Sequence, residues 1–343
     1  MNNVLTQEFE KIYNLIDFGK LKNKSLIVTG ANGLIGSYII YLLVFLNRNY
    51  NANIQIYALS RNKTRLCQKF ENVLNDINII EQDLNNSFKL EIKPDYIIHA
   101  ASNAHPRAYS TDPVGTMKTN LLGTINLLES IIDTSCKFLY ISTGEIYGNN
   151  VDHAFTENDL GIVDTKEVRA CYPESKRAAE TLCMAYSEQY NININIARLC
   201  YVYGPTITDS NSRADAQFLR NAIDGENIIM KSEGKQKRTY CYVADAASAI
   251  LYILLNGINK EVYNIANPNS IVSVREYAQT LCNVSGVNLK FELPDDIEKR
   301  GFSKPADSIL DSTKLQNIGW KPMYDINTGL KNTYEIKKEL EYE

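Results

Sequence analysis

Tyr172 and Lys176 lie four residues apart in a helical stretch, a spacing that places both side chains on one helix face. An ammonium group beside a phenol favours the phenolate, so this pair can take a proton from a hydroxyl group. A surface pair on a polar helix would show the same spacing. Ser142 and Thr143 favour the chemical interpretation, because they follow the apolar run Phe138–Ile141. They supply hydroxyls at the carboxyl end of an expected strand, where ligands bind in open α/β sheets.

A glycine-rich turn is the second chemical feature. It follows the apolar run Ser25–Val28, and Leu34–Phe45 then continues as a helix. Strand, glycine turn and helix in this order predict a dinucleotide site, whose glycines allow a tight turn, close approach of a pyrophosphate and close helix–strand packing. The free N–H groups at the helix N-terminus attract the phosphates. The candidate residues of this turn are Gly30, Asn32, Gly33, Leu34, Ile35 and Gly36.

Strand and helix signals alternate through the first two hundred residues. The predicted strands are Leu26–Val28, Ile54–Leu59, Asn78–Ile80, Tyr96–His99, Phe138–Ser142 and Ile192–Leu199. The predicted helices are Leu34–Phe45, Thr64–Leu74, Pro113–Ile132 and Tyr172–Tyr190. This alternation indicates an α/β, Rossmann-type doubly wound parallel sheet.

The pattern changes at both ends of that region. Apolar residues at roughly helical spacing predict an N-terminal helical extension over 1–24. We expect an NAD(P)-binding Rossmann domain over 25–200. Shorter strands and helices after residue 204 predict a smaller mixed α/β C-terminal domain that binds the substrate, over 201–343, with some segments returning to the Rossmann domain.

The composition excludes several classes of partner. The 343 residues are 44% hydrophobic and 22% charged, enough for a large core. A net charge of −4 gives no basic footprint for nucleic acid, and no apolar stretch reaches membrane-spanning length. The seven cysteines and three histidines show no metal-ligand spacing, so we expect no metal site. Cysteines within apolar runs, without a signal peptide, predict a cytoplasmic protein.

The chain resembles the extended short-chain dehydrogenases/reductases of the NAD-dependent epimerase/dehydratase family, whose members modify nucleotide-linked sugars. The resemblance covers nearly everything after residue 24, and it is closest to the UDP-glucuronate decarboxylases and 4,6-dehydratases. The matching motifs are Thr29–Gly36, His99–Ser102, Asn120 with Gly123–Glu129, Ser142–Gly148, Ala170–Tyr172, Lys176–Thr181, Arg198 with Tyr203–Pro205, Arg238–Asp245, and Leu315 with Gly319–Pro322.

The resemblance implies a reaction through a transient 4-keto sugar. Tyr172 would take the proton of the C4 hydroxyl, with Lys176 lowering the pKa of Tyr172 and holding the nicotinamide ribose. Thr143 would hydrogen-bond the reacting oxygen. The ketone acidifies the neighbouring C5–H, and Glu145 stands where dehydratases and decarboxylases carry a glutamate. A solvated loop glutamate is the alternative interpretation of Glu145.

Departures from the family pattern affect the choice of reaction and sugar. Gly144 replaces the acidic residue of dTDP-glucose-type dehydratases, although GDP-mannose-type dehydratases manage without it. Ser303 replaces an arginine that decarboxylases carry before Lys304-Pro305, and Arg300 lies three residues earlier. A substrate carboxylate without a bidentate partner is costly to hold. Tyr201 replaces a family asparagine, so the sugar cannot be inferred.

We therefore place nucleotide-sugar 4,6-dehydration first. The alternatives are UDP-glucuronate decarboxylation, C4 epimerisation and reduction of a 4-keto sugar. A non-catalytic NADP-binding sensor is the remote alternative, because such proteins typically lose the Tyr or the Lys that this chain retains.

The predicted second strand ends in Ser60 and Arg61. NAD-preferring members end it in Asp or Glu, which bonds the ribose hydroxyls and repels a 2′-phosphate. A guanidinium forms charge-assisted bonds to phosphate, so NADP is favoured over NAD. A solvated basic turn is the alternative. The other residues that we expect to contact the cofactor are Asp83, Leu84, Ala100, Ala101, Ser102, Asn120, Tyr172 and Lys176.

The resemblance also implies substrate contacts and assembly. Arg238 would contact the phosphates or nucleotide of the substrate, with a surface ion pair as the alternative. The implied substrate-binding residues are Ser102, Tyr109, Thr143, Tyr201, Arg213 and Arg238. Relatives commonly dimerise through a four-helix bundle, which implies a homodimer built on the helices near 113–132 and 172–190.

Overall fold

A seven-stranded parallel sheet forms the centre of the protein. The computed structural model describes residues 2–148, 153–208, 211–292 and 306–342. The strands are β1 (Ser25–Thr29), β2 (Gln55–Ser60), β3 (Asn78–Glu81), β4 (Tyr96–His99), β5 (Lys137–Thr143), β6 (Asn193–Leu199), β7 (Tyr201–Tyr203), β8 (Ile228–Met230), β9 (Lys237–Tyr242), β10 (Val262–Ile265), β11 (Ile271–Ser273) and β12 (Leu289–Phe291). The helices are α1 (Asn3–Leu15), α2 (Leu34–Tyr50), α3 (Lys63–Lys69), α4 (Pro106–Thr111), α5 (Pro113–Glu129), α6 (Cys171–Tyr190), α7 (Ala214–Ile223), α8 (Val243–Asn256), α9 (Val274–Ser285), α10 (Thr313–Asn317) and α11 (Ile326–Tyr342).

The strand order of the central sheet is β10-β6-β5-β4-β1-β2-β3, and every neighbouring pair is parallel. The chain moves outward from β1 in one direction through β2 and β3, then returns to β4 on the other side. The point where the order reverses, between β1 and β4, is where open α/β sheets bind ligands. The predicted Rossmann-type α/β fold is confirmed.

Alternate residues of the strands enter two different apolar cores. In β1, Leu26 and Val28 pack into the core that contains α2 and α8, whereas Ile27 packs into the core that contains α5 and α6. This is the period of two that a strand imposes on its side chains. Both faces of the sheet are covered by helices, which is why consecutive residues of a strand, such as Leu26–Val28, are apolar on both faces.

The second half of the chain contributes to two regions. A three-stranded sheet of order β11-β9-β7 and the parallel pair β12-β8 form the smaller mixed α/β part, together with α7, α9 and α11. Strand β10 instead pairs with β6 and extends the central sheet. The division at residue 200 between a cofactor domain and a substrate domain stays a prediction.

Two local predictions differ from the structure. The predicted helix Thr64–Leu74 divides into α3 and a 3₁₀ segment, Glu71–Asp76, with a non-helical residue at Val73. Asn and Asp near this break favour turns, because their side chains compete for backbone groups. The segment after His105, which lies outside the predicted helices, forms α4, with Pro106 at the first helical position, where its fixed φ is preorganised.

The predicted N-terminal helix is α1, and it is fixed by a buried carboxylate. Glu8 accepts hydrogen bonds from the hydroxyls of Tyr38 (2.7 Å) and Tyr242 (2.8 Å) and from the Asn332 amide (2.7 Å). These donors belong to α2, β9 and α11. The carboxylate therefore connects α1 to the helix after the glycine turn and to the last helix.

We expect Glu8→Ala to lower the free energy of unfolding by about 3 kcal/mol, because buried donors lose their acceptor. Urea denaturation measures this loss, and Gln7→Ala on the exposed side of α1 is the matched control.

Burial raises the pKa of Glu8 despite the three hydrogen bonds. The folded protein therefore binds a proton on the Glu8 carboxyl group more tightly than the unfolded chain does. The stability that this proton contributes is lost as the pH rises through the raised pKa. Glu8→Gln should gain stability relative to the wild type over that rise, and a constant difference would contradict this assignment.

Within the part of the chain that the structure describes, no helix combines the length and the apolar character needed to cross a membrane.

Candidate active site

The glycine turn leaves its backbone open toward a cavity. Gly30 has a φ of +65°, and a Cβ on this residue would lie 2.7 Å from the Ala100 carbonyl oxygen. A Cβ on Gly36 would lie 2.5 Å from the Gly30 oxygen. Gly33 caps α2 without a side chain, so the first N–H groups of the helix stay accessible. These contacts exclude larger residues and fit a dinucleotide pyrophosphate.

A buried histidine holds the turn against the next strand. The Thr29 hydroxyl accepts hydrogen bonds from the backbone N–H groups of Ala100 and Ala101, both at 3.1 Å, and pairs with His99 Nδ1 at 2.8 Å. Burial lowers the pKa of His99 to about 3, with a smaller contribution from the charge of Lys176. A neutral imidazole can accept a hydrogen bond from the Thr29 hydroxyl, so this hydroxyl bonds all three partners. The sequence motifs did not predict this hydrogen-bond network.

A second cavity extends from Gly30 across the ends of β2 and β3. It is lined by Gly30, Leu59, Ser60, Arg61, Gln82, Asp83, Leu84, Asn85, Ala101, Ser102, Asn103 and Thr119. The Asn32 amide donates to the Ser60 hydroxyl at 3.3 Å, which ties the glycine turn to the end of β2. The residues predicted for the adenosine half of the cofactor therefore lie together.

Asn120 lies behind the cavity wall rather than in it. Its side chain accepts a hydrogen bond from the Ser102 hydroxyl and donates to Ser175, each at 2.8 Å. Ser175 in turn donates to the backbone carbonyl of Tyr172 at 3.0 Å. The fully buried amide thus joins the loop after β4 to the start of α6 and supports Ser102, which lines both cavities.

Thr143, Tyr172 and Lys176 converge on the larger cavity. Thr143 ends β5, and its hydroxyl hydrogen-bonds the Tyr172 phenol on α6. Lys176 lies one turn further along α6, where its ammonium donates to the Ile141 carbonyl at 2.8 Å and lies over the Tyr140 ring. The carboxyl end of β5 and the first turns of α6 therefore place a phenol, a hydroxyl and an amine on one wall.

Burial dominates the pKa values of this group. It raises the pKa of Tyr172, with a further upward contribution from Glu145, and the Thr143 hydrogen bond and the charges of Arg213 and Arg169 oppose the shift. Burial lowers the pKa of Lys176 to about 7. Two guanidinium groups therefore oppose the effect of burial on the phenol, and the role of Lys176 in lowering the pKa of Tyr172 stays a prediction.

Glu145 and Tyr172 are connected through two further side chains. The Arg169 guanidinium donates to the Glu145 carboxylate at 2.9 Å and lies 5.6 Å from the centroid of the Tyr109 ring. Tyr109 stacks on Tyr172, with ring centroids 4.7 Å apart and planes at 21°. The sequence reasoning missed Arg169, because its ion pair with Glu145 joins two turns that lie 24 residues apart.

The far end of the cavity is rich in tyrosine and arginine. Tyr201 and Arg213 line the cavity, and Arg213 pairs with the Asp215 carboxylate at 3.3 Å. Arg238 lies behind Tyr201, with its guanidinium 4.3 Å from the ring centroid, and its buried Nε has no hydrogen-bond partner among the described residues. The tyrosine that replaces the family asparagine is therefore backed by a cation.

The described residues bring together nearly all of the predicted site. Asn32, Asn120 and Arg238 are the candidates that do not line either cavity. The positions on which the decarboxylase comparison depended, Arg300, Ser303 and Lys304-Pro305, lie outside the described residues. Among the described ranges, no group of three His, Cys, Asp or Glu side chains is placed to hold a metal ion.

Comparison with known proteins gives consistent relatives. The chain is 32% identical over 318 residues to UDP-glucuronic acid decarboxylase 6 of Arabidopsis thaliana, covering 90% of this chain and 87% of that protein. It is 29% identical over 344 residues to UDP-glucuronic acid decarboxylase 1 of Xenopus tropicalis, covering 99% and 78%.

Solved structures share the fold. UDP-glucose 4-epimerase of Thermotoga maritima superposes with a TM-score of 0.78 at 25% identity, covering 92% of this chain and 99% of that one. The dTDP-glucose 4,6-dehydratase of Bacillus anthracis gives 0.78 at 21%, covering 93% and 98%. Residues 26–266 match the model of the NAD dependent epimerase/dehydratase family. The chain is thus an enzyme that belongs to the NAD dependent epimerase/dehydratase family.

Proposed function

We propose that the protein oxidises C4 of a nucleotide-linked hexose to a transient ketone and then removes water across C5 and C6, as a nucleotide-sugar 4,6-dehydratase. The observation that carries this proposal is the convergence of Tyr172, Thr143 and Glu145 on one cavity, whose other end is the glycine turn. A phenol held by a hydroxyl suits proton removal from a sugar alcohol, and a carboxylate on the same wall suits removal of an acidified C–H proton.

The residues divide the work. Tyr172 takes the C4 hydroxyl proton, and Thr143 hydrogen-bonds the same oxygen as it becomes a carbonyl. A bound nicotinamide would supply the acceptor for the C4 hydride and the donor of that hydride to C6. Glu145 takes the C5 proton and gives it to the C6 hydroxyl, which leaves as water. The proton on Tyr172 passes to solvent, and C5 gains a proton from solvent. Lys176, one turn from Tyr172, lies where its amine would hold the nicotinamide ribose. No external redox partner is consumed.

Decarboxylation of a nucleotide-linked hexuronic acid is the second candidate, and Arg169 favours it. The chain departs from decarboxylases at Ser303, yet the structure has a guanidinium beside Glu145 that could pair with a sugar carboxylate. The curated relatives at 29–32% identity are UDP-glucuronic acid decarboxylases. Both reactions use the same C4 ketone and differ in what leaves from C5 or C6.

We further propose NADP as the preferred cofactor, because Arg61 lies exposed at the adenosine end of the second cavity. Arg61→Ala should weaken NADP binding by about 10- to 100-fold, the worth of a charge-assisted hydrogen bond, and change NAD binding by less than about 3-fold. Isothermal titration with both cofactors measures this. Arg65→Ala is the matched control, since Arg65 is also exposed but lines neither cavity. Equal losses for NAD and NADP would contradict the assignment.

We also infer a homodimer that forms through α5 and α6, which pack side by side. Val114, Met117 and Leu122 of α5 are 62%, 38% and 39% exposed, which leaves apolar surface for a second copy. Light scattering should give the mass of two chains, and the mass of one chain would contradict this inference.

A mass-spectrometric screen tests the proposed reaction. The protein is incubated with NAD or NADP and with UDP-glucose, dTDP-glucose, GDP-mannose or UDP-glucuronic acid. A product lighter by one water supports dehydration, and one lighter by carbon dioxide supports the second candidate. An unchanged mass with an altered sugar identifies an epimerase and contradicts both.

A further inference from the structure

We propose that Arg169 is a positioning residue that fixes the Glu145 carboxylate relative to Tyr172, and thereby affects the step at C5 far more than the step at C4. This inference rests on the proposed function. It assigns a role to a residue that the motif analysis did not select.

The geometry connects the two proton acceptors through one guanidinium. Arg169 lies in the short 3₁₀ turn Val168–Ala170 directly before α6, three residues ahead of Tyr172. Its Nη1 donates to Oε2 of Glu145, which lies in the turn after β5, at 2.9 Å. Arg169 therefore directly precedes the helix that carries one acceptor and holds the other.

Tyr109 keeps the guanidinium in place. Its ring contacts both the Arg169 cation and the Tyr172 ring, and the side chain is 3% exposed. The cation–π interaction is stronger at a ring that is shielded from water than at an exposed ring. Arg169 itself is about half exposed, so its ion pair with Glu145 contributes little to folding stability. The effect of the pair is to orient the Glu145 carboxylate.

Tyr172 has supports of its own. The Thr143 hydrogen bond and the stack on Tyr109 hold the phenol without Arg169, and Arg213 supplies another nearby cation. Removing the Arg169 charge should therefore affect proton removal at C4 weakly. Glu145 then loses the side-chain donor that Arg169 supplies from the turn before α6, and a misplacement of about 1 Å can cost about 10²-fold in rate.

The experiment compares Arg169→Gln and Arg169→Lys with wild-type protein, on the nucleotide sugar that reacts in the screen. Reduced nicotinamide absorbance in a single turnover reports the C4 step. Deuterium incorporated from D₂O at C5 reports the second step. We expect Arg169→Gln to slow C5 exchange by about 10²-fold and C4 oxidation by less than about 5-fold. Arg169→Lys should keep C5 exchange within about 5-fold of wild type, because it restores the cation. Arg177→Gln is the matched control, since Arg177 pairs with Glu174 on α6 and lines neither cavity.

Three results would overturn the inference alone: equal slowing of both steps by Arg169→Gln, unchanged C5 exchange, or a loss in Arg169→Lys as large as in Arg169→Gln. A folding defect in Arg169→Gln would also slow both steps equally, and thermal unfolding of each variant identifies such a defect. A wild-type protein that oxidises no nucleotide sugar would overturn the proposed function, and this inference with it.

Discussion

Tyr172→Phe should abolish C4 oxidation while leaving the fold intact. The variant removes the phenolic oxygen that takes the proton, and loss of a positioned general base costs up to about 10⁴-fold in rate. The phenyl ring still fills the buried site and still stacks on Tyr109. Single-turnover formation of reduced nicotinamide measures the rate, and the midpoint of thermal unfolding should stay within a few degrees.

Tyr186→Phe is the matched control for that variant. Tyr186 lies on the same helix, α6, and its hydroxyl donates to the Glu129 carboxylate outside the site. This substitution should leave both rates unchanged. A Tyr172→Phe enzyme that still oxidises C4 within about 10-fold of wild type would show that another group takes the proton.

Glu145→Gln should separate the two halves of the reaction. The amide is nearly isosteric and its oxygen can still accept the Arg169 hydrogen bond, but it cannot take a proton from C5. We expect C5 deuterium exchange to fall by about 10²- to 10⁴-fold, whereas C4 oxidation continues. Reduced nicotinamide and the 4-keto sugar should then accumulate, which absorbance and mass spectrometry detect.

The control for this change is Glu174→Gln, on α6 at the Arg177 ion pair. It removes a carboxylate from a position outside both cavities and should change neither rate. Full product formation by Glu145→Gln would contradict the role of Glu145 and favour C4 epimerisation, which needs no base at C5.

The parts of the site that the sequence predicted are those whose geometry is local. The glycine turn is recognisable from the spacing of Gly30, Gly33 and Gly36 within eight residues. The four-residue spacing of Tyr172 and Lys176 on a helix brings both side chains to one face. The same holds for the fold, because alternating strand and helix signals define a parallel sheet. These features need no knowledge of distant contacts.

The other parts depend on residues that meet only after folding. Glu145 and Arg169 are 24 positions apart in irregular turns, where no periodicity predicts an ion pair. The sequence predicts Asn120 beside the cofactor, whereas its side chain lies behind the cavity wall and supports Ser102. Residue spacing does not distinguish these two positions, because they differ by a single layer of side chains. Whether Arg238 reaches the substrate or backs Tyr201 depends equally on packing between β7 and β9.

The Glu8 carboxylate has a consequence for synthesis on the ribosome. Its helix, α1, precedes all three donors in the chain, and Tyr242 follows 234 residues later and Asn332 follows 324 residues later. At about 5–20 residues per second, many seconds pass between the synthesis of α1 and that of Asn332. Phe9 can pack on Tyr38 and Phe45 of α2 well before then, whereas the carboxylate still lacks two of its three donors. Full pairing of Glu8 is therefore a late event in folding, completed only when α11 has docked.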